Sequence, residues 1–222
     1  KHAKTIVCAS NLRQFSLALT FYAENNDGLH PPVSHQPGEY WFHQLAKYIG
    51  SDKYQEKAQE GGEEIDDEGM ALLFCPETRK SEIDYSRQTE YGTATKPWSW
   101  MDNHGSYGMN LWLTSDQGPY AGMHPKGDHF TKQVDLSAKI PTFGDCIWVG
   151  GWPKDTDYIQ KNESQGLKQK GKGRFAIDRH TGGVNLTFGD ASVQKVEIKE
   201  LWLLKWNKSF KPTDNPNTFS RP

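Results

Sequence analysis

The residues best able to do chemistry in this chain are carboxylates, histidines and three cysteines. Asp145, Asp178, His180 and Asp190 form the candidate metal set. Carboxylates on loops suit a hard cation such as calcium, held by oxygen ligands. Histidine mixed with aspartate also suits a transition metal, which keeps a metal-dependent hydrolase open. The competing reading of the same residues is structural: Asp190 organises a turn by bonding backbone amides, and His180 caps a neighbouring loop. Cys8, Cys75 and Cys146 allow one disulfide and leave one thiol over; none lies in a CxxC pair, which argues against a zinc knuckle. Cys146 sits in an apolar stretch and reads as a small core residue. No catalytic nucleophile stands out: Gly-x-Ser-x-Gly and His-Glu-x-x-His are both missing, and no cysteine-protease signature flanks Cys146. His30, His35, His43, His104, His124 and His129 fall in expected loops and read as surface residues. Trp98, Trp100, Trp112, Trp148 and Trp152 admit stacking on sugar rings, hence a glycan-binding module, or else they fill a core short of long aliphatics.

Bulk composition narrows the classes. The 222 residues are 35% hydrophobic and 24% charged, with a formal net charge of −2. That balance leaves no electrostatic footprint for nucleic acid. No apolar run approaches the roughly 20 residues of a membrane span, and Lys1-His2-Ala3-Lys4 opens no signal-peptide pattern.

The elements that must position these residues follow from periodicity. Cys8, Leu12, Phe15, Leu19 and Tyr22 recur in steps of four and three, one face of a helix. Asn25-Asn26-Asp27-Gly28 supplies a C-cap, and Pro31-Pro32 forbids continuation. No N-cap residue precedes the apolar pattern, so the segment is expected to be the back half of a longer helix. A short amphipathic helix is expected over 40–49 and strands over 70–75, 106–113 and 140–149. Val184 to Phe188 alternates with period two, Gly189-Asp190 turns, and the return strand covers 193–198, leading into a helix over 199–206. Residues 84–104 read as irregular, and 51–69, 114–132 and 153–173 as long polar loops. A long N-terminal helix followed by scattered antiparallel strands is an α+β arrangement in a single domain, 1–222.

Taken together, several blocks resemble the soluble part of type IV pilin-like proteins, in particular pseudopilins of type II secretion. They are the segment from Cys8 through Asn26-Asp27-Gly28 to Pro31-Pro32, then Cys75-Pro76, Ser106-Tyr107-Gly108-Met109-Asn110 and Gly144-Asp145, and last Arg179-His180, Gly182-Gly183, Asn185, Phe188 and Asp190. His180 and Asp190 keep the family's spacing of nine intervening residues, but Ala191 follows where the family has glycine. The blocks cover about a third of the chain in the family's order. The resemblance implies a pilin-like fold, in which 1–28 is the back half of the long helix, packed on an antiparallel sheet, and 174–206 is the C-terminal hairpin and helix. It also implies a non-enzymatic filament subunit of the cell envelope, with other pseudopilin subunits as partners. An apolar helix upstream of Lys1 would anchor the precursor in the inner membrane. In that picture Asp145, Asp178, His180 and Asp190 converge near the C-terminal hairpin, with calcium as the expected ion. In an oxidising periplasm Cys8 and Cys75 either pair as a disulfide between helix and first strand or remain two buried thiols.

Overall fold

A computed structural model describes residues 2–34, 36, 38–49, 71–101, 103–115, 117, 122, 124–157 and 171–214. The expected loop 51–69, most of 153–173 and part of 114–132 lie outside them. Helix α1 (His2–Glu24) buries Cys8, Leu12, Phe15, Ala18, Leu19 and Ala23. This is the anticipated stripe, with Tyr22 half-buried against Tyr48. It stops as the sequence dictates. The Asn25 and Asn26 side chains donate to the Phe21 and Tyr22 carbonyls, and Gly28 takes φ 76° while its N–H donates to the Ala23 carbonyl at 2.9 Å.

The short helix α2 (Trp41–Leu45) runs into a 3-10 turn, Ala46–Tyr48. Among the described residues eight strands follow: β1 (Thr89–Glu90), β2 (Trp98–Trp100), β3 (Asn103–Gly105), β4 (Tyr107–Asn110), β5 (Pro141–Asp145), β6 (Gly150–Gly151), β7 (Gly183–Phe188) and β8 (Val193–Glu197). The first three make a small antiparallel sheet. The other five form a sheet of order β6-β4-β5-β7-β8, antiparallel except where β6 runs parallel to β4. The class is α+β as expected, but the main sheet is mixed rather than purely antiparallel.

Several boundaries differ from the sequence reading, each for a local reason. The described part of 70–75 is a turn, not a strand: the Phe74 N–H donates back to Ala71 and the Thr78 N–H to Cys75. Residues 84–104 are not irregular but hold β1, β2 and most of β3, too short for periodicity to reveal. The strand expected over 140–149 leaves the sheet after Asp145, because the Ile147 N–H is taken by the Arg174 carbonyl. The expected terminal helix is a 3-10 turn, Ile198–Trp202.

Helix α1 lies across β5, β7 and β8. Phe15 is wedged among Trp41, Tyr107 and Phe143 at ring-centroid distances of 5.2, 5.9 and 5.9 Å. Each such fully buried side chain contributes about 1.5–3 kcal/mol by leaving water. Polar contacts fix the register. Ser16 Oγ donates to the Phe188 carbonyl at 3.3 Å, and the Asn185 amide donates to the Thr5 carbonyl at 3.2 Å. The opposite face of α1 stays open: Ile6, Val7, Leu17 and Phe21 are exposed by 56, 48, 40 and 48%. Among the described residues no helix is long and apolar enough to cross a membrane.

Candidate metal centre

Four elements meet where α1 crosses the sheet. Cys8 comes from the buried face of α1, and Cys75 from the turn before Pro76. Asp145 ends β5, and His180 precedes β7. All four are buried, and their ligand atoms lie within 4.8 Å of one another. His180 Nε2 stands 3.0 Å from Asp145 Oδ2, 3.2 Å from Cys8 Sγ and 3.5 Å from Cys75 Sγ. Cys8 Sγ is 3.6 and 3.7 Å from the two Asp145 oxygens. Both cysteines are free thiols.

The local chain explains why these atoms are held so firmly. The Asp145 carboxylate accepts the Asn185 N–H at 2.8 Å and is paired with Arg179 Nη1 at 3.2 Å. Arg179, itself fully enclosed, also donates to the carbonyls of Ala94, Thr93, Ser106 and Cys146. The turn carrying His180 is set by Thr181 at φ 56° and Gly182 at φ 83°, with the Gly182 N–H donating to Asp178 Oδ1 at 2.6 Å. The remaining His180 nitrogen, Nδ1, faces Thr5 Oγ1 at 3.4 Å.

The electrostatics reflect this crowding. Burial opposes ionisation of Asp145, yet the hydrogen bond with His180 and the Arg179 charge hold its carboxyl below the usual range. Burial alone would discharge His180, but its hydrogen bonds with Asp145 and Cys75 raise it to about 10. Burial raises the Cys8 thiol well above its ordinary value, helped by Cys75 and the Asp145 charge. Burial also acts to raise Cys75, but hydrogen bonds from Cys8 and His180 and the Arg179 charge outweigh it and bring it down to about 7.

The anticipated set therefore divides. Asp145 and His180 come together, whereas Asp178 and Asp190 serve separate turns, Asp190 Oδ1 accepting the Ser192 N–H at 3.0 Å. Cys8 and Cys75 complete the group instead. No motif could have marked it, because each donor sits on a different element, tens of residues from the next. Cys146 is a core residue, its thiol pushed to about 12 by burial. His30, His43 and His129, expected at the surface, are buried; burial lowers His30 and takes His43 to about 4.

Chemically, the group does not work as a Cys–His–Asp triad. A triad needs the thiol and the carboxylate on opposite ring nitrogens; here both thiols and the carboxylate crowd the same one, Nε2. The site is also enclosed, with Cys8, Cys75 and Asp145 at 0% exposure. The tryptophans offer little for sugar stacking. Trp98, Trp112, Trp148 and Trp152 are buried, Trp98 donating to the Tyr107 carbonyl and Trp112 to that of Pro153, and Trp100 is half-buried. No protein-family model, curated protein or solved structure matches the chain.

Proposed function

We propose that this chain is a pilin-like subunit of a type II secretion or type IV pilus-like filament in the cell envelope, with an assembly role and no catalytic one. One observation carries the reading: α1 has two apolar faces. The first is covered by the sheet. The second presents Ile6, Val7, Leu17 and Phe21, which at 100° per residue fall within an arc of about 100° that they share with the exposed polar residues Ser10, Gln14 and Glu24. A helix that keeps large apolar side chains in water along about four turns is suited to pack against the same helix of other subunits. The resemblance in the Cys8–Pro32 and Arg179–Asp190 blocks supports the same reading. It adds an apolar membrane anchor ahead of Lys1 and cleavage by a prepilin peptidase. Any calcium held at Asp178 or Asp190 belongs to this proposal as well.

The test is a paired substitution, Leu17→Asp with Phe21→Asp, in the full-length gene expressed in its own cells. Both side chains face outward, so the soluble domain is expected to keep its unfolding midpoint. Sheared filaments containing the protein are expected to disappear. Unchanged filaments, or none from the unsubstituted protein, would refute the reading.

A further inference from the structure

We propose that Cys8, Cys75, Asp145 and His180 are the four ligands of a closed structural site for a zinc-class transition metal, which fastens α1 to the sheet. This inference is independent of the filament reading and concerns the soluble domain alone.

Geometry is the first support. A tetrahedral ion with Zn–S of about 2.3 Å and Zn–N or Zn–O of about 2.0–2.2 Å spaces its ligand atoms about 3.3–3.8 Å apart. Four of the six edges fall at 3.0 Å (His180 Nε2 to Asp145 Oδ2), 3.2 Å (His180 Nε2 to Cys8 Sγ), 3.5 Å (His180 Nε2 to Cys75 Sγ) and 3.7 Å (Cys8 Sγ to Asp145 Oδ2), and the two from Cys75 Sγ to Cys8 and Asp145 lie inside 4.8 Å.

The second support is the crowding at Nε2. An imidazole N–H points along one direction and serves one good acceptor. Two sulfurs and a carboxylate oxygen all gather around this nitrogen instead. A central cation explains the gathering, since all four atoms then direct lone pairs at one point.

The surroundings match what a metal site requires. The second ring nitrogen of a ligating histidine is ordinarily held by an oxygen partner, and Thr5 Oγ1 stands at that position. Asp145 is oriented by Arg179 and the Asn185 amide. Charge closes as well: two thiolates and one carboxylate carry −3, Arg179 carries +1 and a divalent ion +2, leaving zero in a volume that water does not reach. Two thiolates favour zinc over calcium or magnesium, which take oxygen ligands. Four protein ligands with no open position make a structural centre rather than a hydrolytic one.

The site has a mechanical consequence. Cys8 is the only ligand on α1, while Asp145 and His180 are carried on or beside the sheet. A bound ion ties the exposed-faced helix to its scaffold at a fixed register.

The experiment uses the soluble chain, purified under reducing conditions without chelator. Elemental analysis is expected to give one zinc per chain. X-ray absorption at the zinc edge is expected to show two sulfurs at about 2.3 Å and two lighter atoms at about 2.0–2.2 Å. Cobalt exchanged into the site is expected to give an intense tetrahedral spectrum with a thiolate charge-transfer band. Cys8→Ser and Cys75→Ser are each expected to lose that band or halve it, while Cys146→Ser keeps it. Should the first two variants fail to fold, the absorption spectrum of the unsubstituted protein decides alone. The proposal is overturned by a protein that stays metal-free after zinc loading, by a metal shell lacking sulfur, or by a Cys8–Cys75 disulfide in the protein as isolated from its cells.

Discussion

Replacing Arg179 by methionine keeps much of its volume but removes every guanidinium donor from the enclosed junction between β5 and the β7 approach. Asp145 and Arg179 side chains are both at 0% exposure, so no water can step in for the lost partner. Breaking a buried ion pair from one side costs about 3–5 kcal/mol, because the remaining charge stays buried. His180 contacts the same carboxylate at 3.0 Å and offsets part of that loss. In the other direction, the carbonyls of Ala94, Thr93, Ser106 and Cys146 lose their donor. The balance puts Arg179→Met at about 3–4 kcal/mol. The assay is urea unfolding at neutral pH in the presence of chelator, so that only the protein's own charges count. Adding Asp145→Asn to the variant removes the stranded charge. The double variant is therefore expected to be less destabilised than the sum of the singles, by at least about 1 kcal/mol. A cost for Arg179→Met below about 1 kcal/mol, or strict additivity with Asp145→Asn, would refute the reasoning.

Two further outcomes follow from particular residues. Ala191 is held at φ 61° in the hairpin turn. That conformation costs a residue with a Cβ about 1–2 kcal/mol, while glycine loses about 0.5–1 kcal/mol of chain entropy; Ala191→Gly is therefore expected to stabilise by about 0.5–1 kcal/mol in thermal unfolding. Lys172 is fully buried, its ammonium 4.5 Å from the Trp202 and Phe210 ring centroids, and burial lowers it to about 7 against the pull of Asp157 and Asp155. Its folded value lies below its unfolded one, so the unfolded chain holds the extra proton between about pH 7 and the ordinary lysine range. This contribution is therefore complete above the unfolded value and is lost as pH falls toward 7, at up to about 1.4 kcal/mol per unit. Lys172→Met is expected to erase that slope, read as the difference in urea midpoints between the two proteins across this window.

The sequence made some features plain and hid others for physical reasons. Helix α1 was legible because its buried stripe has the helical period and its end has two asparagines and a glycine whose caps form as expected. The β7–β8 hairpin was legible because alternation and the Gly189-Asp190 turn agree. Ala191, which follows that Gly-Asp pair, takes a left-handed conformation that glycine would adopt without strain. The small sheet of β1, β2 and β3 was not legible, for strands of two or three residues carry no period. Half of the candidate site, Asp145 and His180, is legible in the sequence. Cys8 and Cys75 read in the sequence either as a disulfide pair or as two buried thiols, because nothing local indicates that a helix, a turn, a strand end and a loop will bring four donors to one point.

In the proposed filament the open face of α1 packs against other copies of the same chain. The most direct measurement places a photo-crosslinking residue at Phe21 in the full-length protein, in its own cells, and irradiates them. A ladder of self-crosslinked species is expected, lost when Leu17→Asp is added. A protein that remains monomeric after irradiation, while the same probe at buried Phe15 crosslinks within the chain, would contradict it.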